Sequence, residues 1–192
     1  MSASSHKLSG PKGVGFLYVR RGVKLPSFLH GGEQERGRRA GTENVAGIVG
    51  FARAAELACG VNTQESAVRD HLIKRLLDEI PYTSLNGDPT HRLPNNINVC
   101  FKYIEGETLL LLLNEKHIYA SAGSACASSS LEPSHVLTAI GIPYEDAYGS
   151  LRLTIGPETT IADVDEVVDL MKPIIAHLRE TSPQYRNRFI TS

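Results

Sequence analysis

Tryptophan is absent from the 192 residues, and all aromatics together make up 6% of the chain. A surface that stacks nucleic-acid bases needs more flat rings than that. Charge of one sign is also missing: 20 Lys and Arg face 21 Asp and Glu, for a formal net charge of -1. Neither nucleic acid nor an anionic membrane is attracted by such a balance. The longest aliphatic run, Leu109 to Leu113, is far too short to span a bilayer. Met1 to Lys7 carries no hydrophobic segment of the secretory kind, so no secretory signal is expected there. Only three cysteines occur, Cys59, Cys100 and Cys126, and no two form a C-x-x-C pair. That argues against a disulfide framework or a zinc ribbon and points to a reducing, cytoplasmic compartment. The seven histidines show no metal-binding spacing, and the glycine-rich phosphate motifs are missing too.

What is present is a chain with 41% apolar residues, enough for a globular core. Gly13 to Arg20 reads as a strand, and His30 to Gly41, with four glycines and no period, as a loop. A helix is expected from Asn44 to Ala58, with Thr42 as its cap and Val45, Ile48, Val49 and Ala52 on its buried face. A second runs from Glu65 to Ile80, where Val68, Leu72, Leu76 and Ile80 recur four apart until Pro81 ends it. Beyond a turn at Asn86 to Pro89, strands are expected at Asn96 to Phe101, Ile118 to Ala120 and Leu151 to Ile155. Helices are expected at Gly106 to Asn114 and at Asp163 to Leu178. The latter has Thr160 and Asp163 set for a capping box, and Pro173 should kink it. Strands interleaved with helices give an α/β or α+β class. The composition changes near Pro81. Residues 1–80 read as the tail of a larger domain, since a strand pair and two helices cannot close a sheet. Residues 81–192 read as a complete small domain with helices over one face of the sheet.

Four places carry chemistry. Lys7 follows Ser4, Ser5 and His6 and precedes a rigid Gly10-Pro11 turn. An amine so placed can condense with a carbonyl, and hydroxyls and an imidazole can hold a phosphate; the bland alternative is a solvated tail. Cys126 sits among Ser, Ala and Gly residues, which suits a reactive thiol on a loop with room to travel; an inert surface thiol is the alternative. Cys59 and Cys100 are expected in the core. Arg152 interrupts an apolar strand, so it either reaches solvent or grips a carboxylate. Thr42, at a helix start, is a plain cap or part of an anion site.

Read in order, SSHKLSGPKGVGFLYVRRG, HGGEQERGRRAGTENVAGIVG, LNGD, LPNNINVCF, EGETLLLLL, SAGSACASSSLEPSHVLTAIG and LRLTIGPETT resemble the cysteine desulfurase family. These are pyridoxal 5'-phosphate enzymes of the class V aminotransferase superfamily, and the cysteine segment is similar to the long-loop subgroup of nitrogen fixation and iron–sulfur assembly. The resemblance implies part of the fold type I transferase architecture: the tail of the large domain and a complete small α+β domain. It implies Lys7 as the Schiff-base lysine and Ser4 and His6 as phosphate contacts. Thr42 would reach the phosphate of a partner subunit's cofactor, which implies a homodimer. Cys126 would accept sulfur from L-cysteine as a persulfide, leaving L-alanine, and pass it to an acceptor protein such as an iron–sulfur scaffold. Arg152 would bind the substrate carboxylate. Family members are about twice as long, and their phosphate loop, ring-stacking histidine and ring-nitrogen acid have no counterpart here, so a truncated chain is expected. Selenocysteine lyase, an aminotransferase-like enzyme that needs no cysteine, and a catalytically silent fragment are the competing readings.

Overall fold

The computed structural model describes residues 1–59, 63–122 and 134–189. The chain divides into two compact units, Met1–Val61 and Asn62–Ser192.

In the first unit, strand β1 (Ser2–Ser4) pairs antiparallel with β2 (Gly15–Leu17), Ser4 opposite Gly15. The expected strand at Gly13 to Arg20 is cut to its middle because its partner offers only those three residues. A 3-10 turn, Ser5–Leu8, joins the two and ends at Ser9 in the left-handed region, φ 59°. After a long connection holding one short turn, α1 (Gln34–Gly37), comes α2 (Val45–Ala58). Its cap is Asn44, whose side chain accepts from the Gly47 amide at 3.0 Å, and not Thr42. The buried face also differs from expectation. Gly47, Phe51 and Ala54 are covered, Phe51 stacking on Phe16 with centroids 5.5 Å apart. Val45, Ile48 and Val49 are 65%, 44% and 62% exposed. The helix is apolar on more than one side, so periodicity alone could not choose the face. Cys59, expected in the core, is exposed.

In the second unit, α3 (Thr63–Glu79) precedes a three-stranded antiparallel sheet in the order β3 (Thr83–Leu85), β4 (Asn96–Phe101), β5 (Ser150–Thr154). Between β4 and β5 lie α4 (Gly106–Asn114) and the short α5 (His135–Ala139) and α6 (Tyr144–Ala147). The chain continues into α7 (Ile161–Thr181) and α8 (Pro183–Phe189). One face of the sheet, Ile97, Val99 and Phe101 from β4 with Leu151 and Leu153 from β5, joins Ile155, Leu72 and Leu76 of α3, Leu109 and Leu113 of α4, and Val168, Met171 and Ile175 of α7 in one core. This packing moves the division of the chain. The apolar stripe Val68, Leu72, Leu76 and Ile80 belongs to the second unit's core, so the break falls before α3 and not near Pro81. Ile118 to Ala120 form no strand; only Ser121 bridges to Arg152. Helix α7 continues past Pro173 to Thr181.

Polar contacts register these helices. The Thr160 hydroxyl accepts from the Asp163 amide at 3.2 Å while the Asp163 carboxylate accepts from the Thr160 amide at 2.8 Å, completing the capping box. Arg75 of α3 donates to Glu79 at 2.5 and 2.8 Å, and to Asp165 and Asp169 of α7 at 3.0 and 2.9 Å. Lys172 reaches back to Glu79 at 2.8 Å. At the other end, the buried Arg179 donates to the carbonyls of Lys102 and Tyr82, and its guanidinium lies over the Tyr82 ring. The rings of Tyr82, Tyr103, Tyr185 and Phe189 close around one another and hold α8 against this end.

Two measurements check these contacts. Thr160→Ala should lower unfolding stability by about 1 kcal/mol in urea titrations, and Thr160→Ser should recover most of it. The Glu79 carboxyl is lowered to about 2, first by its hydrogen bonds from Arg75 and then by Lys172. A carboxyl depressed in the folded state stabilises above its unfolded value of about 4.3 and loses that contribution as pH falls toward 2. The denaturation midpoint should therefore drop between those values, and Glu79→Gln should drop less steeply.

Candidate functional site

The 3-10 turn Ser5–Leu8 gathers three of the residues singled out from the sequence. Ser4, His6 and Lys7 are exposed, and Ser5 between Ser4 and His6 is fully buried. The turn is clamped from inside. Ser5 donates its amide to the Val14 carbonyl at 3.0 Å, and its own carbonyl accepts from the Gly10 amide at 3.0 Å. Gly10 is required there, since a Cβ would sit 2.2 Å from the Ser5 hydroxyl and 2.9 Å from Ala54 of α2. Gly50 does the same for Pro11, whose ring lies 2.6 Å from where a Cβ would be. Helix α2 thus presses on the Gly10-Pro11 corner and fixes the backbone under Lys7. The ε-amine itself has no hydrogen-bond or ionic partner among the described residues, so it is available for chemistry. Within this turn the buried Ser5 hydroxyl has no partner among the described residues.

Thr42 belongs to the same unit, in the exposed loop before α2. That loop is closed by the Gln34 side chain, which accepts from the Gly41 amide at 3.1 Å, and by Arg39, which donates to the Ala40 carbonyl at 2.8 Å. With Asn44 as the helix cap, the Thr42 hydroxyl is not engaged in capping.

Arg152 is in the second unit, at the centre of β5. Its neighbours Leu151 and Leu153 enter the core, so strand alternation turns Arg152 to the opposite face, where it is half-buried. Among the described residues nothing bonds or pairs with its guanidinium. That is unusual in a unit whose other half-buried or buried arginines, Arg69, Arg75, Arg92 and Arg179, all have partners. The same face carries Asn98 opposite Arg152, Cys100 opposite Ser150, and the buried Asn86 beside them. Asn86 donates to Asn98 at 2.7 Å and contacts the Cys100 sulfur at 3.1 Å. Burial pushes the Cys100 thiol up, against a smaller lowering by Asn86, so it stays protonated. The asparagines were not singled out from the sequence, although Asn96 and Asn98 alternating with Ile97 and Val99 already mark a polar face. Cys126 lies outside the described residues. Among the described residues no group of acidic, histidine or cysteine side chains is arranged to hold a metal, and no helix is long and apolar enough to cross a membrane.

Known proteins resemble this chain along most of its length. The chain is 58% identical over 187 residues to "Cysteine desulfurase IscS" of Methanosarcina thermophila, which covers 95% of this chain and 46% of that protein. It is 50% identical over 189 residues to "Cysteine desulfurase NifS" of Azotobacter vinelandii, covering 96% and 47%. Among solved structures, a "NifS-like protein" superposes with a TM-score of 0.78 at 36% identity, covering 92% of this chain and 46% of the other. The chain therefore spans about half the length of the curated relatives it matches, as a C-terminal half would, and its mixed α/β fold is shared with these proteins. The family model of aminotransferase class-V matches residues 1–167, and the chain belongs to that family.

Proposed function

We propose that this chain supplies the lysine, the sulfur-accepting cysteine and the carboxylate-binding arginine of a cysteine desulfurase. The observation that carries the reading is the unpartnered Lys7 amine on a turn held rigid by Gly10, Pro11 and α2. The names of the relatives support it.

The donor set around that turn fits pyridoxal 5'-phosphate. A free, exposed amine suits the aldehyde end, and the outward-facing Ser4 hydroxyl and His6 imidazole suit the phosphate end. Thr42, free of a capping duty, would donate to the phosphate held by a second copy of the chain, which makes the working form a homodimer. When bound, the cofactor supplies an electron sink for the charge left after the α proton departs.

The chain's own residues do the rest. Arg152 takes the α-carboxylate of L-cysteine through its fork of N–H donors and fixes the orientation of the substrate. The Lys7 amine removes the α proton and holds it for return. The Cys126 thiolate attacks the substrate sulfur. A new S–S bond forms, the Cβ–S bond breaks with its electron pair going to carbon, and a proton completes L-alanine. The substrate sulfur stays on Cys126 as a persulfide, and no external oxidant or reductant is needed. That sulfur would then pass from Cys126 to an acceptor protein, such as a scaffold for iron–sulfur clusters.

The test is a visible absorbance scan of the chain mixed with pyridoxal 5'-phosphate. A band that is lost in Lys7→Ala supports the assignment of Lys7, and the same band in both proteins overturns it. With L-cysteine as substrate, Cys126→Ala should reduce persulfide and sulfide formation at least a hundredfold, read by cyanolysis and by L-alanine release. Undiminished sulfur release from Cys126→Ala would overturn the role of that thiol.

A further inference from the structure

The polar face of the second unit's sheet is built as a row. Antiparallel register sets Leu85 of β3 opposite Val99 and therefore Asn86, the next residue, opposite Asn98, whose carbonyl accepts the Asn86 amide at 2.9 Å. Asn98 in turn stands opposite Arg152, and Arg152 opposite Ser121. Four polar residues, Asn86, Asn98, Arg152 and Ser121, thus cross the sheet side by side, while the residues flanking them in β4 and β5 point into the core.

Both backbone hydrogen bonds of Arg152 go to Ser121: it donates to the Ser121 carbonyl at 2.6 Å and accepts from the Ser121 amide at 3.1 Å. In an antiparallel sheet a residue aims both groups to the same side. The pairing of Arg152 with Asn98 is therefore the non-hydrogen-bonded kind, in which Cα atoms approach to about 4.5 Å and side chains stand closest. The amide of Asn98 is also oriented. Asn86, only 4% exposed, is itself anchored by Arg92, which donates to the Asn86 carbonyl at 2.6 Å. Its side chain donates to Asn98 Oδ1 at 2.7 Å, which leaves the two hydrogens of Asn98 Nδ2 unused on the face that Asn98 shares with Arg152. Neither Asn98 Nδ2 nor the guanidinium has a partner among the described residues. Two adjacent donors, one charged and one neutral, and both half-buried, make a site for an anion.

We propose that Asn98 is a second donor to the substrate α-carboxylate, held by Asn86 so that its N–H groups converge with those of Arg152. The inference rests on the reading of Arg152 as the carboxylate-binding residue and adds a specificity determinant to it. A planar carboxylate takes two parallel bonds from the guanidinium and a third from the amide on its free lone pair. An uncharged carboxamide places an NH2 group against one of these donors and is refused.

The experiment uses the full chain, isotope-labelled, titrated with propionate, which has the substrate's three carbons and carboxylate but neither its amine nor its thiol. In NMR spectra the Arg152 Nε–H and Asn98 side-chain NH2 signals should shift along one saturating curve, and propionamide should move neither. Asn98→Ala should weaken propionate binding about tenfold, the scale of one lost hydrogen bond to a charged group. Asn98→Asp, nearly the same size, should abolish binding by pairing with Arg152, and unmoved backbone signals of Ile97 and Leu153 would certify its fold. A shift at Arg152 alone, or an unchanged affinity in Asn98→Ala, overturns the role of Asn98 and leaves Arg152 standing. No shift at either residue overturns both.

Discussion

Everything in the second unit depends on the antiparallel pairing of β4 with β5. Because side chains alternate along a strand, one register places Ile97, Val99, Leu151 and Leu153 together under the helices and turns Asn98 and Arg152 together to the other side. A slip by one residue would send the arginine into the core and the leucines to solvent. The apolar burial that stabilises the unit is thus the same event that turns Arg152 and Asn98 to one face. The ion network of Arg75, Glu79, Asp165, Asp169 and Lys172 then ties α3 to α7 over the core, and the rings around Arg179 close the far end.

The first unit solves a different problem with less material. It has few buried side chains, and its order comes from close approach: Gly10 against Ser5 and Ala54, Gly50 against Pro11, Phe16 on Phe51. Those contacts fix one short turn, which is enough to hold Lys7 outward. The exposed Val45, Ile48 and Val49 of α2 form a second apolar face with no cover inside the unit. Orienting Lys7 does not require that face, because the clamp acts through the opposite side of α2.

Much of this was legible before any coordinates. NINVCF and LRLTI announce strands by alternation, and their apolar positions are the ones buried. GETLLLLLN is bounded by the helix that forms. Thr160 and Asp163 read as a capping box and make one. The stripe of Val68, Leu72, Leu76 and Ile80 was visible too, but not what it packs against, which is why the break between units falls before α3 and not after it. Helix α2 misled for a related reason: with alanines, glycines and valines on several sides, its sequence pattern does not single out the face that Phe51 fills. Ile118 to Ala120 has strand composition but meets only one residue's worth of partner, at Ser121. Ser4, His6, Lys7, Thr42, Cys126 and Arg152 came from motif order, whereas alternation marks Asn98 only as part of a polar face and does not bring Asn86 to it.

Local chemistry is written residue by residue: alternation, helical period and caps. Those follow from nearest neighbours along the chain, and a linear reading reaches them. Which strand faces which, at what register, follows from long-range pairing, and only there do Asn86, Asn98 and Arg152 become neighbours. The same holds for the clamp beneath Lys7, where glycines at positions 10 and 50 matter because of atoms far away in sequence. Folding brings those atoms within van der Waals contact, and no window along the chain contains both partners.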